Sequence, residues 1–290
     1  MTIDQIDYAK KVVQRFGQEN CHNVATPLPG GYKPEPQKPL DENGKPNPNY
    51  KKATPQDIHQ YQSIIGSLLY LTLGTRPDIA YAVILMSQYM VDPSKEHINK
   101  SLHIVKYVKS TINAKIVYNK GEREGLVGYA DADWGSCKDT GKSITAYLIK
   151  LAGAPVSWVS RKQKTVALSS TEAEYMSMTD AIKQIAWMKS LYGELGFTVN
   201  NIELNIDNQG AIFNAQNNVV ETKTKHINIK YHYVRENVKD QTVHLLYIHT
   251  NEQQADILTK NLPRVKFEEL RSLIGIQIPL ITQRGSVLKL

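Results

Sequence analysis

Cysteine is nearly absent from this 290-residue sequence, which contains only Cys21 and Cys137. The two lie far apart and form no Cys-x-x-Cys pair, so the sequence predicts neither a zinc knuckle nor a disulfide framework. Isolated cysteines of this kind are typical of reduced thiols, and they indicate an intracellular protein.

Long apolar runs are also missing. The two most apolar stretches, "IIGSLLYLTL" and "IAYAVILM", are too short to span a bilayer. The first residues, "MTIDQIDYAK", contain no apolar core of the kind that a signal peptide requires. We therefore predict no membrane association and no secretory signal, and we interpret the two apolar stretches as buried helices.

The sequence has no acidic excess: its net charge is +7 and its pI about 9.1. A basic balance favours an anionic partner such as nucleic acid, although an ordinary basic surface explains it equally well. Residues 1–120 carry 15 Lys+Arg against 10 Asp+Glu, and residues 121–290 carry 20 against 18. The second part therefore keeps many acids in a basic protein, a combination that suits nucleic acid together with metal ions.

The first 120 residues divide by composition into three segments. Residues 1–20 favour a short helix. Residues 21–55 hold 8 of the 13 prolines and show no apolar periodicity, which predicts an extended linker. Residues 56–112 predict three packed helices, one beginning at Pro77 and one with Ser94 as its N-cap.

From residue 121 the pattern changes to short, closely spaced strands: "GLVGYADAD", "SITAYLIKL" and "PVSWVSRKQ". A long helix follows to about Gly196, and further strands then alternate with helices in the overall order β-β-β-α-β-α-α-β-α. We expect the first three strands to form hairpins and the later strands, which are separated by helices, to be joined by crossovers. This arrangement is an α/β fold with a mixed sheet. We also expect Trp134, Trp158 and Trp187 in the core.

Four acidic residues fall at the ends of predicted elements, each next to an apolar run: Asp131, Glu174, Asp207 and Asp256. If these ends converge, the like charges disfavour one another's ionisation. Divalent cations with oxygen ligands, usually Mg²⁺, relieve that repulsion. Two such ions about 4 Å apart can hold both the attacking and the leaving oxygen of a phosphodiester.

Glu174 has a competing, purely structural explanation. In the stretch "LSSTEAEYMSM", Thr171 precedes Glu174 by three residues and Ser169 precedes Glu172 by three. Either pair fits a capping box at the start of the long helix. Taken alone, this stretch favours capping over catalysis.

Several motifs after residue 125 occur in a characteristic order: "YADADWGSCKDTGKS", "LSSTEAEY", "IDNQGAI", "KTKHINIKYHYVRE" and "IHTNEQQADILTKNL". In wording and order they resemble the ribonuclease H domain of copia-type LTR retrotransposons, from residue 125 to about 275. The family takes its catalytic carboxylates from the first strand, first long helix, fourth strand and last helix. The resemblance therefore implies Asp131, Glu174, Asp207 and Asp256, with Asp131 favoured over Asp133 on the same strand face, and leaves Glu172 as the helix-start acid.

The resemblance implies hydrolysis of the RNA strand of an RNA–DNA hybrid by two Mg²⁺ ions, for which Mn²⁺ is a possible substitute. The products would be a 5′-phosphate and a free 3′-hydroxyl. Asp131 and Asp207 would be the central ligands, Glu174 would hold the ion on the substrate side, and Asp256 the ion that positions the attacking water. The implied partners are the hybrid and the rest of the Pol polyprotein. The implied location is the cytoplasm, within a virus-like particle in an intact element, or the nucleus.

Further site residues have structural alternatives of equal or greater weight. His249, at a strand end, is an auxiliary candidate for proton transfer or product release, or else an exposed loop histidine. Candidates for nucleic-acid contact could equally be solvated, edge-protecting or capping residues. These candidates are Arg161, Lys162, Lys164, Ser169, Lys225 and His226.

The first 120 residues also resemble this polyprotein. "YQSIIGSLLYLTLGTRPDIAYAV" is similar to the segment that follows the reverse transcriptase palm. We predict a palm end plus linker at 1–55, a helical thumb or connection region at 56–120, a ribonuclease H-like domain at 121–275 and a tail at 276–290.

The sequence has no two adjacent aspartates, so the family's Tyr-x-Asp-Asp polymerase motif is absent and no reverse transcriptase activity is expected. A catalytically inactive, nucleic-acid-binding remnant is the alternative to a nuclease. Another nuclease of the same fold class, such as an integrase or resolvase, is disfavoured by the order of the four carboxylates.

Overall fold

The computed structural model describes residues 1–36, 38–41, 43–119, 125–137, 140–199, 202–217 and 225–279, with the backbone alone for 225–229. The chain forms two compact units. The helical unit comprises Thr2–Ile116 and Asn261–Ser272, together with the last described residues, 276–279. The sheet unit comprises Val117–Lys260 and Leu273–Gly275.

The described helices are, in chain order, α1 (Ile6–Arg15), α2 (Pro55–Gly74), α3 (Ala80–Ser87), α4 (Lys95–Ser110), α5 (Ser170–Glu194), α6 (Gln209–Gln216), α7 (Lys225–Lys239) and α8 (Arg264–Leu273). The described strands are β1 (Thr2–Ile3), β2 (Lys115–Val117), β3 (Val127–Asp133), β4 (Ile144–Leu151), β5 (Ala154–Lys162), β6 (Glu203–Ile206), β7 (His244–Tyr247) and β8 (Ile276–Gln277). Short 3₁₀ helices lie at Pro77–Ile79, Thr250–Glu252 and Gln254–Leu258. Among the described residues, none of the helices combines the length and the apolarity needed to cross a membrane.

The helical unit contains the three predicted helices, α2, α3 and α4. The predicted cap of α4 is confirmed, because the Ser94 hydroxyl accepts a hydrogen bond from the His97 backbone N–H. Among its described residues, the proline-rich segment before α2 forms no helix and is irregular, with bends and turns, but it is not a free linker. It is attached to α4, where Val24 N–H donates to Ser110 Oγ (2.9 Å) and a His97 ring nitrogen lies 3.0 Å from the Glu35 carbonyl.

The sheet unit is built on five strands in the order β5-β4-β3-β6-β7. The pairs β3–β4 and β4–β5 are antiparallel, as expected of hairpins, whereas β3–β6 and β6–β7 are parallel, as expected of crossovers. Apolar residues of α5, among them Met178, Ile182 and Ile185, are fully buried in a core shared with Leu204 of β6. The predicted α/β class and mixed sheet are confirmed, and the strand order is that of a ribonuclease H-like fold.

Two features of the fold differ from the sequence-based expectations. The predicted final helix containing Asp256 is a 3₁₀ helix, Gln254–Leu258. The chain then leaves the sheet unit, so that 261–272, including most of α8, belongs to the helical unit instead of continuing a domain to residue 275. Phe267 of α8 is buried and packs edge-on against Tyr107 of α4, which gives the apolar face of α8 its partner.

The prediction that all three tryptophans lie in the core is wrong. Trp134 and Trp187 are 53% and 57% exposed, and Trp158 is half-buried. Trp134 follows the end of β3 and donates its indole N–H to the Ala167 carbonyl (3.0 Å). A hydrogen bond at the ring's polar edge allows the rest of the indole to remain at the surface.

Candidate active site

Asp131 and Asp207 are placed side by side by the parallel pairing of β3 with β6. Tyr129 of β3 is opposite Asn205 of β6. Continuing that register by two residues on each strand brings Asp131 next to Asp207, which directly follows β6. Asp131 is buried and Asp207 half-buried. The two aspartates therefore meet because strands distant in sequence are neighbours in the sheet.

Glu174 reaches the same place from α5, in the helix's second turn. The helix is held on the sheet by Ser177, whose hydroxyl lies 2.7 Å from the Asp131 carbonyl and 2.6 Å from the Ala146 carbonyl. Ser177 lies one turn after Glu174, so this attachment directs the Glu174 carboxylate towards Asp131. The start of α5 is capped by Ser169, which accepts from the Glu172 backbone N–H, while the Glu172 carboxylate accepts from Leu168 N–H.

Carboxylate oxygens of Asp131, Glu174 and Asp207 all lie within 4.8 Å of one another. Each can offer one oxygen to a shared cation, and oxygen is the donor that Mg²⁺ and Mn²⁺ prefer. Asp133 lies outside this three-residue cluster. Asp256 also lies outside it but is near Asp131, because Lys260 Nζ lies 2.8 Å from Asp256 Oδ1 and 4.0 Å from Asp131 Oδ2. The two glutamates therefore have different roles. Glu172 takes part in capping the start of α5, and Glu174 faces the other acids.

The electrostatics of the cluster are those of buried like charges. Burial, followed by the charges of Asp131 and Asp207, raises the pKa of Glu174 to about 10. Burial and the Asp131 charge also raise the pKa of Asp207, although a hydrogen bond with the Thr250 side chain opposes the shift. Within the described part of the chain, the buried Glu174 Oε2 atom has no hydrogen-bond partner. An oxygen of this kind, desolvated and unpaired, favours a bound cation.

Three residues of the "NEQQADILTKNL" segment contribute to the site although the sequence analysis did not single them out. Gln253 is fully buried and donates to the Ala130 carbonyl (2.9 Å), which fixes the segment to β3. The Thr259 hydroxyl donates to an Asp131 carboxylate oxygen. Lys260 places Nζ 2.8 Å from Asp256 Oδ1 and 4.0 Å from Asp131 Oδ2. Asp256 and Lys260 are four residues apart, a spacing that brings side chains together on one face of a helix.

Asp256 and Lys260 shift each other's pKa in opposite directions: Lys260 lowers that of Asp256, and Asp256 raises that of Lys260. Burial and the Asp131 charge raise the pKa of Asp256 to about 7, while Lys260 opposes that shift. Burial alone would lower the pKa of Lys260, but Asp131 and Asp256 outweigh it and hold that pKa above its ordinary value. The two buried carboxylates therefore favour the charged form of Lys260.

Curated relatives match almost the whole chain, whereas no protein-family model matches it. The retrovirus-related Pol polyprotein from transposon TNT 1-94 of Nicotiana tabacum is 38% identical over 94% of this chain and 20% of its own length. The corresponding polyprotein from transposon RE1 of Arabidopsis thaliana is 39% identical over 82% of this chain and 16% of its own length. The chain belongs to the family of copia-type retrotransposon Pol polyproteins. It spans about a fifth of the length of these Pol polyproteins.

Among solved structures, LC11-RNase H1 in complex with an RNA/DNA hybrid is 14% identical, with 46% of this chain and 93% of that chain covered and a TM-score of 0.36. The strand order and pairing of the sheet unit are themselves those of a ribonuclease H-like fold.

The remaining candidates of this Pol-family chain lie in varied surroundings. His249 is exposed and its Nδ1 accepts from Asn251 N–H (3.2 Å), so it caps the 3₁₀ helix that follows. Arg161 forms an ion pair with Asp180, Lys162 hydrogen-bonds the Cys137 thiol, and Lys164 is exposed. The side chains of Lys225 and His226 lie outside the described residues. Contact of these residues with nucleic acid stays a prediction.

Proposed function

We propose that the sheet unit hydrolyses the RNA strand of RNA–DNA hybrids with the help of divalent cations, as a ribonuclease H. The single observation that carries the proposal is the convergence of Asp131, Glu174 and Asp207 within 4.8 Å. The three come from different elements, and folding alone gives no reason to bury like charges together. Membership in the Pol family and the mixed-sheet topology support the same conclusion.

The residues present fit a cation at this position. The three acids offer hard oxygen donors, and Glu174 Oε2 lacks a partner in the described part of the chain. Bound Mg²⁺ or Mn²⁺ would supply Lewis-acid stabilisation of a phosphodiester and a more acidic water. Asp131, Glu174 and Asp207 would hold a first ion, and Asp256, next to Asp131, would take part in holding a second.

The other proposed contributions belong to the chain's own residues. Ser177 and Gln253 keep α5 and the Gln254–Leu258 helix against β3, so that the four carboxylates keep their positions. His249, at the exposed edge of the site, is an auxiliary candidate for proton transfer. Lys164 is an exposed basic candidate for contact with a phosphate backbone, an interaction that adds affinity without sequence preference.

The decisive experiment is cleavage of a labelled RNA–DNA hybrid in Mg²⁺ by the whole chain, compared with Asp131→Asn and Asp207→Asn. We expect each substitution to abolish detectable cleavage, because each removes a charged oxygen ligand. Asp133→Asn is the matched control on the same strand and should keep most of the activity. Equal activity in all four proteins would refute the assigned site.

Two further outcomes distinguish other functions. Cleavage of duplex DNA in preference to the hybrid would indicate a nuclease of another type. Metal-dependent binding of the hybrid without cleavage would indicate an inactive remnant. We expect no polymerase activity in parallel assays, because the chain has no two adjacent aspartates.

A further inference from the structure

Lys260 brings a positive charge into the part of the site where Asp131 and Asp256 face each other. Its Nζ lies 2.8 Å from Asp256 Oδ1 and 4.0 Å from Asp131 Oδ2. The two acidic side chains are 7% and 4% exposed, whereas the lysine side chain is 38% exposed. The ammonium thus reaches from a partly open position into contact with two buried carboxylates.

The backbone around Lys260 is held in place, so the contact is not that of a freely moving surface lysine. Gln253 fixes the start of the segment to the Ala130 carbonyl, and Thr259, the residue before Lys260, donates its hydroxyl to Asp131. The Gln254–Leu258 helix between them brings the side chains of Asp256 and Lys260, which are four residues apart, next to each other. Exposed ion pairs usually contribute little, but here both acceptors are desolvated and the cation is presented by a fixed segment.

The contact between Lys260 and Asp256 is a close ion pair, with Nζ and Oδ1 2.8 Å apart. The ammonium therefore offsets the charge of a buried carboxylate. A small divalent cation with oxygen ligands could compete for the same oxygen.

We propose that Lys260 occupies the place of a second cation at Asp131 and Asp256, so that the free protein binds one divalent ion well and a second only by displacing the ammonium. This inference rests on the proposed function, since it concerns the same carboxylates. Lys260 is a positioning residue: it acts through Asp131 and Asp256 and makes the loading of the second ion a separate, weaker step. The first ion, at Asp131, Glu174 and Asp207, is largely unaffected.

The test is titration of the nucleic-acid-free chain with Mn²⁺. Binding is monitored by calorimetry and by electron paramagnetic resonance of the unbound ion. For the wild type we expect one tight site and a second at least about tenfold weaker. Lys260→Met keeps an unbranched side chain without the charge, and it should tighten the second site about tenfold or more. Lys260→Arg, which keeps the charge, should resemble the wild type. Lys189→Met, an exposed lysine of α5, is the control and should change neither site.

An unchanged second site in Lys260→Met would overturn the inference about Lys260 while leaving the proposed function intact. If the wild type bound no Mn²⁺ at all, both would fail. A measurement on the wild type covers the case in which Lys260→Met does not fold. With ¹⁵N-labelled lysine, the Nζ resonance of Lys260 should move on addition of the second equivalent of Mg²⁺ and not the first. Movement complete at the first equivalent, or none at saturation, would contradict displacement.

Discussion

Glu174 bears a large electrostatic cost at the residue scale, because it is buried with two other acids and one of its oxygens is unpaired within the described residues. The same arrangement that makes it useful to a cation destabilises the metal-free protein. Active-site groups often reduce stability in this way, and replacing them with neutral isosteres commonly recovers it. Function and stability should therefore respond in opposite directions to one substitution.

Glu174→Gln should raise the melting temperature of the metal-free protein in EDTA at pH 8 by roughly 2–4 °C, which corresponds to about 1 kcal/mol in a domain of 150–250 residues. Glutamine keeps the shape of the side chain and is neutral without taking up a proton, whereas Glu174 must be protonated on folding at this pH. The same variant should lose hybrid cleavage. The matched control is Glu194→Gln, at the exposed end of the same helix, which should leave the melting temperature unchanged.

The gain should depend on pH, with a sign set by the raised pKa of Glu174. A carboxyl whose pKa is higher in the folded protein favours folding when protonated, so this stabilisation is complete below the ordinary pKa near 4.5 and is lost as pH rises towards about 10. Because glutamine does not titrate, the difference in melting temperature between Glu174→Gln and wild type in EDTA should grow from pH 5 to pH 9. A constant difference would contradict the assignment of the cost to the raised pKa of Glu174.

Ser169 shows, at the scale of elements, how one residue can be predicted for two purposes. It was a candidate for nucleic-acid contact and a candidate cap, and the structure shows it as the N-cap of α5. Ser169→Ala should therefore cost about 1 kcal/mol of stability, measured by urea unfolding, because a backbone N–H of the first turn loses its partner. Ser170→Ala, at the next and exposed position, is the control and should cost little.

Ser169→Asp separates the two roles. Aspartate caps a helix as well as serine does, so the stability should return to that of the wild type. If Ser169 also contacts a nucleic-acid backbone, the added negative charge should weaken binding of the hybrid, measured at fixed salt concentration. Wild-type hybrid affinity in Ser169→Asp would remove Ser169 from the contact residues and leave it a cap.

Elements and their pairing were largely predictable, whereas their side-chain surroundings were predictable only in part. The short strand "SITAYLIKL" and the long helix after the first three strands were predicted, and β4 and α5 agree with them. The sequence does not report which element covers each face: in β4, residues of both faces are buried. Trp187 lies between the buried Ile185 and Met188 of α5 but projects from the opposite side of the helix, so composition alone suggested burial wrongly.

The site was predictable to the extent that it follows from strand and helix ends. Asp131 and Asp207 meet because parallel strands end together, a rule that needs no side-chain detail. Lys260 and Thr259 were missed because their role depends on how the chain leaves a 3₁₀ helix, and a lysine or threonine there has an ordinary surface explanation. A four-residue spacing to an acid is too common to single out Lys260.

At the scale of the whole molecule, each of the two units is built from segments that are not continuous along the chain. After Lys260 the chain contributes 261–272 to the helical unit, returns Leu273–Gly275 to the sheet unit, and pairs Ile276 of β8 with Ile116 of β2 in the helical unit. Arg271 of α8 donates to the Tyr107 hydroxyl (3.2 Å) in the helical unit. A boundary drawn from sequence resemblance alone therefore cuts through both units.

The helical unit is organised around a buried ion pair, and this gives a prediction about where its stability lies. Arg76 donates to both carboxylate oxygens of Asp78, at 2.9 and 2.8 Å, with the two side chains 3% and 0% exposed. Tyr107 also donates to Asp78 (2.8 Å), and Arg76 donates to the Thr111 hydroxyl (2.6 Å). The guanidinium outweighs the effect of burial and holds the pKa of Asp78 below its ordinary value.

Arg76→Met should reduce the stability of the helical unit by about 3–5 kcal/mol, because it leaves a buried carboxylate without its cation. Hydrogen exchange of amides in α2 and α4 would measure the loss directly. Lys95→Met is the matched control in the same unit: Lys95 also pairs with an aspartate, Asp57, at 2.6 Å, but its side chain is 80% exposed. An exposed pair of this kind contributes little, so exchange should hardly change. Equal protection in the two variants would mean that the buried pair does not hold α2 and α4 together, and that their apolar packing does so alone.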